Sequence, residues 1–214
     1  MARATGCRMT RLYLHGMSIS PATHHDIPAL TVLINSAYRG EGSKKGWTTE
    51  ADLLTGSQRT DEASLATLLD DTNASILKYV TGDGAITGCV YVRQQDGGLY
   101  LGMLTASPTA QGMGIGKQLL LTAEQYAAKQ KCNFIVMNVI SVRAELIDWY
   151  TRYGYVDTGN RAAFPEDHRF GVPTQKLEFA ILKKDITRRI TTKAIISIAT
   201  AIIMKDAYFY LSSI

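Results

Sequence analysis

Residues 104–117, LTASPTAQGMGIGK, constrain this chain more than any other stretch. A strand-like run ends there, and Pro108 enforces a turn because its ring fixes φ and removes a donor. Gln111-Gly112-Met113-Gly114-Ile115-Gly116 then leads into a helix predicted over residues 114–129, where Ile115, Leu119, Leu120, Ala123 and Ala127 recur at helical spacing. Backbone N–H groups project unpaired from the first turn of such a helix and carry partial positive charge. Glycines let a phosphorylated ligand approach that backbone closely, so the segment reads as an anion site suited to a pyrophosphate. The spacing is not that of a dinucleotide-binding GxGxxG turn, which opens a βαβ unit. Nor is it a GxxxxGK[ST] loop, because Gln118 follows Gly116-Lys117.

The surrounding pattern supplies the architecture. Residues 22–38 carry Ile27, Leu30, Ile34 and Ala37 at helical spacing, with Pro28 suited to a first turn and Asp26 to an N-cap. Residues 39–46 (RGEGSKKG) read as a glycine-rich loop. Residues 49–54 begin a second short helix, and residues 61–69 form a third. The period then changes to two. Residues 75–80 and 85–93 are strand-like and joined by Thr81-Gly82-Asp83-Gly84, a hairpin signal. Asp96-Gly97-Gly98 turns the chain into a strand over residues 99–105. After the long helix come a buried-type strand over 134–140, a helix over 143–153 stopped by Gly154, and strands over 155–157 and 177–183. The expected fold class is α/β with one mixed central sheet flanked by helices. One domain spans residues 17–185, between a loose extension (1–16) and an apolar, basic tail (186–214).

Charge narrows the partners. The formal net charge of +4 comes from the ends: without Arg3, Arg8, Arg11, Arg188, Arg189, Lys193, Lys205 and Asp206, the body holds 16 basic and 18 acidic residues. Nucleic-acid binding wants a basic patch on the folded body, and the count does not supply one. Cys7, Cys89 and Cys132 are far apart and show no metal-ligand spacing, so no metal is expected. Cys89 and Cys132 sit in apolar runs as buried filler. Free thiols suggest a reducing compartment, here the cytoplasm. The tail run AIISIATAIIM (residues 194–204) falls short of the roughly 20 residues that a spanning helix needs. It reads as a helix packed on the body or in a homodimer contact, in preference to an interfacial membrane anchor.

At this point the sequence resembles the GNAT superfamily of N-acetyltransferases. Gln111-Gly-Met-Gly-Ile-Gly116 matches that family's acetyl-CoA loop, Q/R-x-x-G-x-G/A, and Trp149-Tyr150-Thr151-Arg152-Tyr153-Gly154-Tyr155 is similar to its LYxxxGF segment. The resemblance implies a mostly antiparallel sheet in which two neighbouring parallel strands, residues 99–106 and 134–140, splay to admit the pantetheine arm of acetyl-CoA as co-substrate. It implies that backbone groups of Leu104, Thr105 and Ala106 pair with that arm. The amides of Gln111, Gly112, Met113, Gly114, Ile115, Gly116 and Lys117 would hold the pyrophosphate. Tyr150 matches the residue that often protonates the departing thiolate. Where the family often has an Asn that contacts the cofactor, this chain has Arg143, with Asn138 on the preceding strand a substitute or simply a polar strand residue.

By the same resemblance the first helices and their connection, residues 38–50, line a pocket for a small-molecule or peptide amine. Glu41 and Glu50 are its candidate base or cation-binding groups, although Glu50 also suits a helix start. The loop with Phe164-Pro165-Glu166-Asp167 and Gly171-Val172-Pro173 lies over the acceptor end and favours a cationic or amine substrate. Arg161 and Arg169 are candidate partners for an acceptor carboxylate. The expected activity is acetyl-CoA-dependent N-acetyl transfer; the alternative is an acyl-CoA sensor without turnover.

Overall fold

A computed structural model describes residues 12–14, 16–165, 169 and 171–186 of the 214. Cys7, Glu166, Asp167 and the tail from residue 187 onward lie outside the described residues, as do residues 1–11 of the expected extension. Eight strands form one sheet: β1 (Leu12–Leu14), β2 (Met17–Pro21), β3 (Ala74–Val80), β4 (Ile86–Gln95), β5 (Gly98–Ala106), β6 (Phe134–Ile140), β7 (Val156–Ala163) and β8 (Glu178–Asp185). Their spatial order is β1-β2-β3-β4-β5-β6-β8-β7. Every neighbouring pair is antiparallel except β5 and β6. This is the mixed, mostly antiparallel sheet that the sequence implies.

Helices cover both faces. α1 (Ile27–Tyr38) and α3 (Glu62–Asp70) bury Ile27, Leu30, Leu33, Ile34 and Leu65 against Ile76, Cys89 and Tyr91 on one face. α4 (Ile115–Lys129) and α5 (Ala144–Thr151) cover the other, where Ile115, Leu119, Leu120, Ala123 and Ala127 pack on Val90, Val92, Leu99 and Leu101. The predicted apolar stripe of α4 is therefore the buried one. α4 approaches the sheet closely at Gly88, where an added Cβ would stand 2.6 Å from Ile115 Cγ2 and 2.9 Å from Leu119 Cδ1. That contact fixes the helix N-terminus relative to β5. Cys89 and Cys132 are buried free thiols, and burial pushes the Cys89 thiol up to about 12.

The structure departs from the sequence reading in four places. Residues 12–14 are not loose: they pair with β2 through a turn at Gly16, whose φ of +79° suits glycine. Asp26 precedes α1 without capping it, because its carboxylate accepts from Thr23 N–H (2.8 Å) and Lys78 Nζ (2.5 Å) instead. The glycine-rich loop contains a single helical turn, α2 (Gly40–Ser43). Residues 49–54 form turns instead of a helix. Leu53 and Leu54 both donate to Glu50 O, after which Thr55 N–H turns to Val172 O and Leu54 bridges Pro173. The loop between β7 and β8 competes successfully for the backbone there.

Candidate active site

The sheet opens at its one parallel junction. β5 and β6 are in register only at Leu99–Ile135 and Tyr100–Val136, although β5 continues to Ala106 and β6 to Ile140. Beyond those pairs the facing edges part, and buried backbone groups on such edges need partners. The parting coincides with a bulge: Thr105 opposes Cys89 and Gly102 opposes Tyr91, leaving Met103 and Leu104 against Val90. Met103 takes the left-handed conformation, φ 53°, which costs a non-glycine residue about 1–2 kcal/mol. Thr105 Oγ1 donates to Met103 O at 2.9 Å, and the Tyr38 hydroxyl donates to Leu104 O at 2.8 Å.

The chain leaves β5 through a 3-10 turn, Pro108–Ala110, into the glycine loop. Gly112 and Gly114 have φ of +83° and +74°, and a Cβ on either would meet nothing within 4 Å. Backbone conformation, not crowding, therefore calls for glycine, and the space beside the loop is open. Gly114 is the N-cap of α4 and no side chain caps that helix. The first-turn amides thus remain available to an anion. Gln111 reaches sideways: its Oε1 accepts from Trp47 N–H, tying the glycine loop to the α2–α3 connection.

Loop and splay border one cleft of about 460 Å³. Gly112, Gly114, Gly116 and Lys117 line it, as does Arg152 from just beyond α5. Leu104, Thr105 and Ala106 of β5 line it too. Tyr38, Trp47, Thr48 and Arg143 border it as well, with Trp149 and Tyr150 of α5 and Tyr153 just beyond it as an aromatic wall. Tyr150 is held edge-on by Trp149 (centroids 5.0 Å apart) and Tyr155 (5.7 Å). Burial pushes the Tyr150 phenol well above its ordinary range, with Tyr38 adding to the shift and Arg143 opposing it. Tyr38 is raised to about 12, first by burial and then by the negative charge of Glu50.

Behind the cleft lies a charged cluster that local sequence does not announce. Glu50 is buried, 6% exposed. Its Oε2 accepts from Arg39 Nη1 at 2.5 Å and its Oε1 from Arg143 Nη1 at 3.2 Å, while Arg59 Nε stands 3.6 Å from Oε2. Arg143 Nη2 donates to Thr48 Oγ1 at 2.6 Å, and Thr48 Oγ1 donates to Glu145 Oε1 at 2.7 Å.

The expected site residues distribute unevenly over this geometry. Tyr150, Arg143, Leu104, Thr105, Ala106, Gln111, Gly112, Gly114, Ile115, Gly116 and Lys117 all border the cleft. Met113 is exposed at the loop tip and does not line it. Asn138 is exposed on β6, paired in register with Ile181, and lies outside the lining. Glu50 sits behind the wall with both oxygens engaged, which does not suit a proton acceptor for substrate. Glu41 falls in α2; its side chain lies outside what the structure describes. Arg161 is bound by Asp157 through two bonds of 2.9 and 3.0 Å, a surface pair within one strand. Tyr38, Thr48 and Arg152 have specific places that the motifs alone did not assign. Arg152 and Tyr153 were within reach of such an assignment, since they belong to the segment around Tyr150. Among the described residues no cluster of three or more potential metal ligands occurs, and no helix is long and apolar enough to cross a membrane.

Comparison with known proteins places this geometry. A comparison with curated protein sequences finds no match. Solved structures with the same fold include the ribosomal-protein-S18-alanine N-acetyltransferase of Escherichia coli, at 13% identity and a TM-score of 0.60, covering 80% of this chain and 94% of that one. A protein of Salmonella typhimurium, described as an acetyltransferase and solved with its cofactor acetyl-CoA, matches at 18% identity and 0.58, covering 82% and 96%. A spermidine N-acetyltransferase variant of Vibrio cholerae matches at 11% and 0.59, covering 83% and 98%. The profile of the Acetyltransferase (GNAT) family matches residues 41–155, which hold the splayed strands, the glycine loop, α4 and the Tyr150 segment. With more than half of its length matched, the chain belongs to the GNAT acetyltransferase family.

Proposed function

We propose that this protein transfers the acetyl group of acetyl-CoA to a primary amine by direct attack on the thioester. One observation carries the reading: the β5–β6 edges part after Tyr100–Val136, next to an uncapped α4 N-terminus. An extended arm with a pyrophosphate at its far end has the shape and polarity to fill that space. Leu104, Thr105 and Ala106 would pair with pantetheine, although Leu104 O already has Tyr38 as one donor. The amides of Gly112, Gly114, Ile115, Gly116 and Lys117 would hold the pyrophosphate, with Lys117 and Arg152 in the lining of the same cleft. The catalytic domain we assign is residues 17–185, with β1 added to its sheet edge. A cytoplasmic location fits its buried free thiols.

In the reaction the amine nitrogen bonds to the thioester carbon, and the tetrahedral adduct collapses with cleavage of the C–S bond. The sulfur leaves as thiolate and takes a proton from Tyr150. The phenol is protonated through the neutral range and lines the cleft, which keeps a proton at hand, while its burial makes it a weaker acid than a free phenol. Glu41, on the α1–α3 connection, is the remaining carboxylate candidate for receiving the proton that nitrogen loses, directly or through water. Glu50 anchors Arg143 and Arg39 instead.

The test joins calorimetric titration of acetyl-CoA to an assay of thiol release with an amine panel. Micromolar binding that requires the pyrophosphate, with amine-dependent thiol release, is expected. Tyr150→Phe should lower kcat by roughly 10²- to 10³-fold, the usual range for loss of a positioned acid. Its acetyl-CoA affinity should stay within a few-fold. Binding without turnover on any amine would favour a sensor.

A further inference from the structure

Resting on that reading, we propose that the amine acceptor also carries a carboxylate, as an amino acid or a small peptide does, and that Arg59 is the residue that receives it. Arg59 lies outside the motifs, yet its position is built. Asn35 Oδ1 accepts from the backbone N–H groups of Arg59 (2.5 Å) and Thr60 (3.0 Å), and Asn35 Nδ2 donates to Thr60 O at 3.0 Å. One side chain of α1 thus clamps the backbone that carries Arg59. The guanidinium stands over the Tyr38 ring, 5.7 Å from its centroid, with Nε 3.6 Å from Glu50 Oε2. Its side chain is 39% exposed, and its Nη atoms make no hydrogen bond among the described residues. The fork that suits a carboxylate is therefore oriented, partly shielded and open.

Arg59 is not itself in the cleft lining but stands beside it, over the Tyr38 ring, which does line it. The ring beneath Arg59 is the ring whose hydroxyl reaches Leu104 O at the β5 bulge. Three guanidinium groups gather there. Among the described side chains, Arg39, Arg59 and Arg143 surround Glu50, and Glu145 is engaged by Thr48 and stands 3.7 Å from Arg143 Nε. Glu50 is buried behind its guanidinium partners, so it offers little to a second ammonium group. A polyamine would place its distal charge against this cluster, whereas an amino acid would place its carboxylate there. The acceptor, expected to be cationic from the loop with Glu166 and Asp167, then carries a carboxylate beside its amine.

The test compares amino acids with the amines obtained by removing their carboxylate: phenylalanine with phenethylamine, tyrosine with tyramine, 4-aminobutyrate with propylamine. Putrescine serves as the cationic control. Thiol release is measured on the full chain, with an acetyl-CoA titration on each protein as the check of folding and cofactor binding. At least one amino acid is expected to exceed its decarboxylated partner and putrescine in kcat/KM by roughly 10- to 100-fold, the range of a charge-assisted bond. Arg59→Gln should erase that preference, chiefly through KM, and Arg59→Lys should restore part of it. If acetyl-CoA binds and the decarboxylated amines or putrescine react as well as or better than every amino acid, the acceptor assignment falls and the acetyltransferase reading stands; if neither amino acids nor amines react, both fall in favour of a sensor. A preference that survives Arg59→Gln also overturns it. If a folded sample does not bind acetyl-CoA, both readings fall.

Discussion

Replacing Glu50 with Gln separates two roles for the most buried acid of the site. In the anchor role, Glu50 balances Arg39 and Arg143, whose side chains are only 3% and 6% exposed. Removing the charge while keeping the shape takes the Glu50 carboxylate from two desolvated guanidinium groups, with Glu145 left 3.7 Å from Arg143 Nε. Breaking a buried pair by removing one partner costs about 3–5 kcal/mol. The amide oxygen can still accept one N–H, which places Glu50→Gln near the low end, about 3 kcal/mol. For a domain of this size, with about 2–4 °C of midpoint shift per kcal/mol, Tm should fall by about 6–12 °C. Circular dichroism during thermal unfolding reads the shift, and urea unfolding at 25 °C reads the free energy directly. In the base role, the same substitution would leave stability nearly untouched and remove activity with an altered pH profile. A Glu50→Gln protein within about 1 kcal/mol of the parent, which is the range of an ordinary single substitution, would refute the anchor argument.

Two further outcomes follow from the fold. Burial works against the charge of Asp26, but Lys78 and Thr23 hold its carboxyl below the ordinary value of 3.8. A depressed folded-state pKa contributes stability that is present above 3.8 and lost as pH falls through the folded value, so part of the acid destabilisation should disappear in Asp26→Asn, as urea unfolding at pH 7 and pH 3 would show. Gly88→Ala should cost about 1–3 kcal/mol, since its Cβ would collide with Ile115 and Leu119, and a melting curve unchanged from the parent would show that α4 can retreat.

Local pattern carried much of this architecture. The stripe of Ile115, Leu119, Leu120, Ala123 and Ala127, the alternation of β3 to β5 and the glycines before α4 are each written within a few residues. The cleft wall was not written that way. Glu50 lies 11 residues from Arg39 but 93 from Arg143, and Tyr38 meets Leu104 across 66 positions. No period links such pairs, and an Arg next to two glycines looks like surface charge until a distant carboxylate is brought to it. Residues 49–54 went astray for a related reason. Their acids suit a helix start, but Glu50 is drawn inward and the β7–β8 loop takes the backbone of Thr55. The short register of β5 and β6 is likewise a property of the assembled sheet, because each segment alone reads as a complete strand.

The aromatic wall of the cleft gives the protein a built-in optical reporter. The chain contains two tryptophans, Trp47 and Trp149, and both border the same cavity, one on the connection tied to Gln111 and the other on α5 beside Gly116. Trp47 is half exposed, at 52%, while Trp149 packs edge-on against Tyr150 and at a tilt against Tyr153. Emission from this molecule therefore originates where a nucleotide thioester would lodge, with no background indole elsewhere, so occupancy of the cleft can be followed in real time without a label.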